Sequence, residues 1–202
     1  DIPNVMVVPA DSPYNNVLEF VEAAKEQNMT FSHSGVGSSI HMSGELFKTL
    51  TGTNMTAVPF AGSGAALPAL LGGDVDVSFE NMPTVFSHIQ SGDLKALAVT
   101  SAERSEYLPD VPTLEEIGEY NLDQFTTTAW FGLIAHESFP EEAMTVMQEA
   151  LQEVMKREEF TSFVDQLGAE PGAVAGDEFK AFIAEEVARW DEVATEAGIR
   201  QE

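Results

Sequence analysis

Two hydrophobic periods exchange along the first hundred residues. Residues 4–9, Asn-Val-Met-Val-Val-Pro, form an almost unbroken apolar run closed by proline, which predicts a buried strand. Within Tyr14–Gln27 the period lengthens: Val17, Leu18, Val21 and Ala24 recur at helical spacing, with Asn28 placed to cap the end. The exchange then repeats. Strands are predicted at Met29–Ser34, Met55–Phe60, Val75–Phe79 and Leu94–Thr100. Helices are predicted at Ile40–Thr51, over a short stretch ending at Leu71, and after Glu80-Asn81-Met82-Pro83 through Gln90. Gly52, Gly72-Gly73 and Ser91-Gly92 stop them. Such alternation, with connections of a few residues, predicts an α/β fold with a mainly parallel sheet and helices on both faces. The runs Val-Met-Val-Val and Ala-Leu-Ala-Val are too apolar for half-exposed strands, which agrees with a sheet covered twice.

The rhythm changes after Thr100. Residues 101–124 are rich in Pro, Glu and Asp and read as a long connection with a short helix near Leu114–Ile117. A strand is predicted at Thr126–Ala135, then helices at Glu141–Lys156 and Glu159–Leu167. A loop follows at Gly168–Gly176, and a last helix at Asp177–Ala197. That helix places Phe179, Phe182, Ile183, Val187, Trp190, Val193 and Ala197 on one face, with acids on the other and Gly198 at its C′ position. The boundary between the two parts falls near residues 120–126.

Charge narrows the function classes. The 202 residues hold 34 acids and 9 bases, a formal net charge of −25. A chain so acidic is not a general nucleic-acid binder, and anionic membrane surfaces repel it. The acidity is uneven, with 10 acids and 3 bases in residues 1–100 against 24 and 6 in the remainder. The C-terminal part thus carries solvated acidic helix faces. No apolar run reaches the ~20 residues of a membrane-spanning helix. The opening Asp1-Ile2-Pro3-Asn4 has neither the basic nor the apolar region of a secretory leader, so the chain is expected to be cytosolic, mature or truncated. Cysteine is absent, which removes disulfides, thiolate chemistry and Cys-based metal sites. His33, His41, His88 and His136 show no metal-ligand spacing with acids, and no Gly-x-Ser-x-Gly elbow is present. No metal, cofactor or catalytic residue is expected.

Candidate chemistry lies in two strand-to-helix loops. Ser34-Gly35-Val36-Gly37-Ser38-Ser39 leads from a strand into the helix that carries His41. Free N–H groups at a helix start carry partial positive charge, glycines let a ligand approach the backbone, and serine hydroxyls add donors. A tight turn whose serine merely caps the helix is the other reading. The pattern is neither a dinucleotide fingerprint nor a P-loop. Phe60-Ala61-Gly62-Ser63-Gly64-Ala65 repeats the arrangement one unit later, and Glu80-Asn81 ends the third strand. In α/β sheets, ligands gather at the carboxyl ends of strands, so all three would open at one edge.

Several stretches resemble one family along essentially the whole chain. They are Ser34–His41 with Gly44-Glu45-Leu46-Phe47, Val58–Gly64 with Leu70-Leu71-Gly72-Gly73, and Ala96–Ser101 through Leu108–Thr113. Trp130-Phe131-Gly132-Leu133 and Leu167-Gly168-Ala169-Glu170-Pro171 complete the series. Together they resemble the extracytoplasmic solute receptors of tripartite tricarboxylate transporters, the Bug or TctC-like family. The resemblance implies a two-lobed, Venus-flytrap fold of the type II periplasmic-binding-protein kind. It implies capture of a small carboxylate, delivery to membrane permease subunits, a periplasmic location and no catalysis. Residues 1–122 would be the second, ligand-binding lobe, and 123–202 would return to the first. Relatives begin earlier, so the N-terminal part of the first lobe is expected to be absent, and such a truncated chain is expected to self-associate.

Carried over residue by residue, the ligand wall falls on Ser34, Gly35, Val36, Gly37, Ser38, Ser39 and His41. It continues through Phe60, Gly62, Ser63, Gly64 and Ala65, then Glu80 and Asn81, and finally Thr128 and Trp130. Three positions depart from the family's usual residues: Ala61 where many relatives have lysine, Ile40 where many have proline, and Glu80 where many have aspartate. A periplasmic sensor using the same pocket for signalling, and an α/β enzyme, are the competing readings.

Overall fold

The computed structural model describes residues 2–169, 171–172 and 174–196. Glu170, Ala197 and Gly198, and the side chain of Val193, lie outside the described residues. The sheet is built from β1 (Ile2–Pro9), β2 (Met29–His33), β3 (Met55–Pro59), β4 (Val77–Asn81), β5 (Leu94–Val99) and β6 (Thr128–Ala129). The helices are α1 (Val17–Glu26), α2 (Ser39–Thr51), α3 (Ser63–Leu71), α4 (Met82–Ser91), α5 (Leu114–Ile117), α6 (Glu141–Met155), α7 (Glu158–Gln166) and α8 (Gly176–Glu196). Local chemistry sets their ends. The Asn16 side chain accepts from Glu19 N–H to start α1, and Ser38 does the same for His41 N–H at α2. α2 stops at Gly52, whose φ of 65° is left-handed. Thr113 and Glu116 form a reciprocal capping box around α5.

Five strands lie in the order β3-β2-β4-β1-β5, and β6 pairs with β1. β2 runs parallel to β3 and β4, but β1 is antiparallel to β4, β5 and β6. The sheet is therefore mixed: β2, β3, β4 and β5 share one direction, and β1, fourth in the order, runs against its neighbours. A doubly covered strand has the same apolar run in either direction, so periodicity does not report its sense. β4 also runs later than its apolar pattern predicts. Its pairing with β1, Asn4 to Asn81 and Val5 to Glu80, extends it through two polar residues. The predicted strand Thr126–Ala135 shrinks to Thr128–Ala129. Beyond Ala129 the described chain has no strand partner to take its N–H and C=O groups.

Cores form on both faces of the sheet. On one face Phe20, Phe31, Phe47, Phe79 and Phe125 are completely buried between the strands, α1 and α2. Each contributes about 1.5–3 kcal/mol of burial relative to an exposed ring. Phe31 lies so close to α2 that a Cβ at Gly44 would stand 2.3 Å from its ring, so glycine is required there for helix and strand to meet. On the other face Val5, Val7, Leu70, Met82, Val85 and Phe86 pack under α3 and α4. The C-terminal helices differ: α6 and α7 bury no residue. α8 brings Phe179 and Phe182 edge-on to Trp130, with ring centroids 5.4 and 5.5 Å away. Val187, expected on the packed face of this helix, is 64% exposed.

Candidate functional site

Parallel pairing of β2 with β3 and β4 brings three strand ends to one edge. His33 sits in register with Pro59, and the Phe60 N–H donates to the His33 carbonyl at 2.9 Å. The two glycine-serine loops therefore open side by side. The Ser39 hydroxyl donates to Asn81 Oδ1 at 3.3 Å, tying the first loop to the end of β4.

The first loop is bent by glycines at positive φ, 135° at Gly35 and 80° at Gly37, with open space around both. Ser38 uses its hydroxyl internally: it donates to the Gly35 carbonyl at 2.8 Å and accepts from His41 N–H at 3.2 Å. Two loop amides also turn inward. Gly35 N–H donates to His33 Nδ1 and Gly37 N–H to His41 Nδ1, both at 3.3 Å. The donors left for a ligand are the N–H groups of Ser39 and Ile40, which have no acceptor within α2, together with the half-buried Ser34. At α3 the cap is Gly62, φ 98°, which has no side chain to satisfy the helix start. Ser63 and Gly64 N–H are open there in the same way.

Beneath the loops the two imidazoles lie tilted at 42° with centroids 4.3 Å apart, and Phe31 stacks over His41. His33 and His41 are both buried. Burial first, then the neighbouring His33, hold His41 below the ordinary histidine value; Lys48 adds to this and Glu45 opposes it.

Glu80 occupies different ground. Phe79 belongs to the core under α2, and Val5, the partner of Glu80, belongs to the core under α3 and α4. Strand alternation therefore places Glu80 on the α3 side. It is fully buried, and neither carboxyl oxygen has a hydrogen-bond partner of good geometry. Burial pushes its carboxyl above the usual range, opposed by the nearby Ser63 hydroxyl and Asn81 N–H. Phe60 packs against the same core.

A cavity of about 510 Å³ lies on the α2 side. Gly37, Ser39 and Met42 form one wall, Thr128, Ala129 and Trp130 the next, and Ile183, Glu186, Val187, Trp190, Asp191 and Ala194 of α8 the last. Four expected residues, Gly37, Ser39, Thr128 and Trp130, meet there. Ser34, Gly35, Val36, Ser38 and His41 lie around its first loop. Phe60, Gly62–Ala65 and Glu80 belong to the neighbouring loop and the opposite sheet face. The acid on the α8 wall is partly compensated, since Glu186 takes an ion pair from Arg189 at 2.9 Å and a hydrogen bond from Trp190 Nε1 at 3.3 Å. Pattern reading missed His33, Met42 and the α8 residues. The apolar stripe of α8 was legible as a packing face, not as a cavity wall. His33 had a signal in its position two residues before Gly35. Among the described residues no cluster of three or more His, Asp or Glu could hold a metal, and no helix is long and apolar enough to cross a membrane.

The profile of a family described as "Tripartite tricarboxylate transporter family receptor" (TctC) matches residues 1–199. Protein BugT of Bordetella pertussis is 32% identical over 99% of this chain and 61% of its own length. Among solved structures, R. palustris Rpa4515 with adipate superposes with a TM-score of 0.90 at 32% identity, over 98% of this chain and 66% of that one. MatC from Rhodopseudomonas palustris with bound malate gives 0.87 at 27% identity, over 95% of this chain and 66% of that one. The chain spans about three fifths of the length of the curated relatives it matches.

Proposed function

The chain belongs to the tripartite tricarboxylate transporter receptor family, and from that premise we propose that it captures a small carboxylate in the periplasm and presents it to membrane permease subunits. It acts by binding and release, without catalysis. Residues 1–122 form the second lobe of the receptor and 123–202 return to the first. The ligand-binding wall comprises the loops at residues 34–41 and 60–65, Glu80-Asn81, and Thr128 with Trp130.

The observation that carries this reading is the pair of helix starts at one sheet edge. α2 and α3 both open there, and from residue 31 to 65 the chain carries just two charged residues, Glu45 and Lys48. Those two pair with each other at 2.6 Å. An anion at this edge meets oriented N–H groups and hydroxyls instead of the acidity that dominates the rest of the molecule. Adipate and malate bound to similar proteins support the ligand class.

Titration calorimetry against adipate, malate and citrate tests the reading. One of them is expected to bind, and Ser39→Pro is expected to weaken it about tenfold or more by removing the open N–H donor at the start of α2. Proline suits the first helical position, and Ser38 already has the extended backbone that a following proline needs, so α2 survives the change. Unchanged affinity in this variant would move the anion site away from α2.

A further inference from the structure

The carboxylate-receptor reading counts His41 in the ligand wall but gives the buried His33 beside it no role. Their geometry is specific. Each Nδ1 accepts a backbone N–H from the glycine loop, His33 from Gly35 and His41 from Gly37, at 3.3 Å. An accepting Nδ1 carries a lone pair, so each ring is neutral with its proton on Nε2. The rings lie 4.3 Å apart between centroids, and both are buried. The glycines they hold have positive φ and open space around them, so the bent loop is not fixed by packing at those positions. We propose that His33 and His41 are positioning residues, holding the carboxylate-binding loop in its ligand-accepting shape through unprotonated Nδ1 atoms, so that proton uptake at His41 releases the loop and the ligand.

Protonation turns an Nδ1 acceptor into a donor facing another donor, which breaks the contact to Gly35 or Gly37 and leaves a buried N–H unpaired. The close neighbour His33 adds to the cost of an imidazolium at His41. Few charges face the pair. α2 contributes Glu45 and Lys48, already paired with each other. α8 presents Glu186 and Asp191 across the cavity, with Arg189 on Glu186. β6 presents Thr128 and β4 ends in Asn81, both uncharged. Glu80 lies on the other face of the sheet. Glu45 favours an imidazolium at His41, but its partner Lys48 opposes it and burial outweighs both. The lowered value of His41 accords with that arrangement.

The inference rests on the carboxylate-receptor reading, and the experiment separates the two. Malate and adipate are titrated into the protein between pH 8 and pH 5, beside the variant His41→Asn. Asparagine Oδ1 keeps an acceptor near the Nδ1 position but takes up no proton. Wild-type affinity is expected to fall about tenfold per pH unit once His41 begins to protonate, and the variant to lose that slope whatever its affinity at pH 8. Protonation of the ligand itself is common to both proteins and cancels in the comparison. The same slope in both proteins overturns the proposal. So does an affinity that rises on acidification, because an imidazolium would then be touching the anion.

If neither carboxylate binds at pH 8, the receptor reading fails at that step. Long-range ¹H–¹⁵N NMR of the unliganded protein still decides the loop contact. Both rings are expected as Nε2–H tautomers, with the Gly35 and Gly37 amide signals moving as His41 titrates. An Nδ1–H tautomer, or glycine amides that ignore the titration, overturns it.

Discussion

Glu80 and His41 bias stability in opposite directions along the pH scale. His41 resists protonation when folded, so its neutral form contributes fully above the ordinary histidine range. That contribution is lost as pH falls from the unfolded value of 6.5 through the lower folded one. Glu80 resists ionisation when folded. As pH rises above the ordinary carboxyl range, the unfolded chain gives up this proton first, and stability falls until the folded carboxyl also ionises. Glu80→Gln is therefore expected to match the wild type in thermal unfolding at pH 4 and to exceed it at pH 8. Equal melting at both values would show that the carboxyl finds a donor when folded. These residues also mark what could be read beforehand. The glycine-serine loops announced themselves by composition. Glu80 stood at the expected strand end, but which face it takes follows from register with β1, and a one-residue step decides that. His33 was passed over because a single histidine in a strand has no periodic signature; its role appears once the loop folds back over it.

At the scale of elements, the short β6 is held by side chains more than by its two pairs with β1. Thr100 accepts from Asn4 N–H at 2.9 Å and donates to the Thr127 carbonyl at 2.6 Å, while Ser43 and Thr127 share a hydroxyl contact of 2.8 Å. All four residues are buried. Thr100→Val keeps the shape and strips the hydroxyl, and is expected to cost about 1–3 kcal/mol in urea denaturation by leaving Asn4 N–H without this acceptor. Gly44→Ala tests the α2–β2 contact instead. Its Cβ would collide with Phe31 at 2.3 Å, so a loss of about 1–3 kcal/mol is expected by the same measurement. Helix ends were legible because caps are local: Ser38, Gly52 and Thr113 act within four residues. The reversal of β1 and the brevity of β6 were not, since both depend on partners far along the chain, 96 residues apart in the case of Asn4 and Thr100.

Across the whole molecule, apolar surface is divided as sharply as charge. Val36 is the one large hydrophobic residue before 131 that stands exposed among the described residues. Phe131, Leu133, Ile134, Val146, Met147, Phe163, Val174 and Val187 are exposed beyond it. Hydrogen exchange is expected to be fastest through α6 and α7 and slowest in β1, β4 and β5, because the former bury no residue and the latter lie in the doubly packed sheet. Uniform protection across both parts would contradict this. The family was legible in motifs because they mark the turns and close approaches the fold cannot vary. The cavity was not, because its walls come from three segments far apart in the chain. The reversed β1 has a last consequence. Because it runs against its neighbours, β1 sets Ile2 beside Ala129 of β6. A unit whose two ends are hydrogen-bonded neighbours can be rewired. A short linker from Ala129 to Ile2, with new ends opened in the exposed stretch around Glu103, would preserve every strand pairing of β1–β6 in a circular permutant.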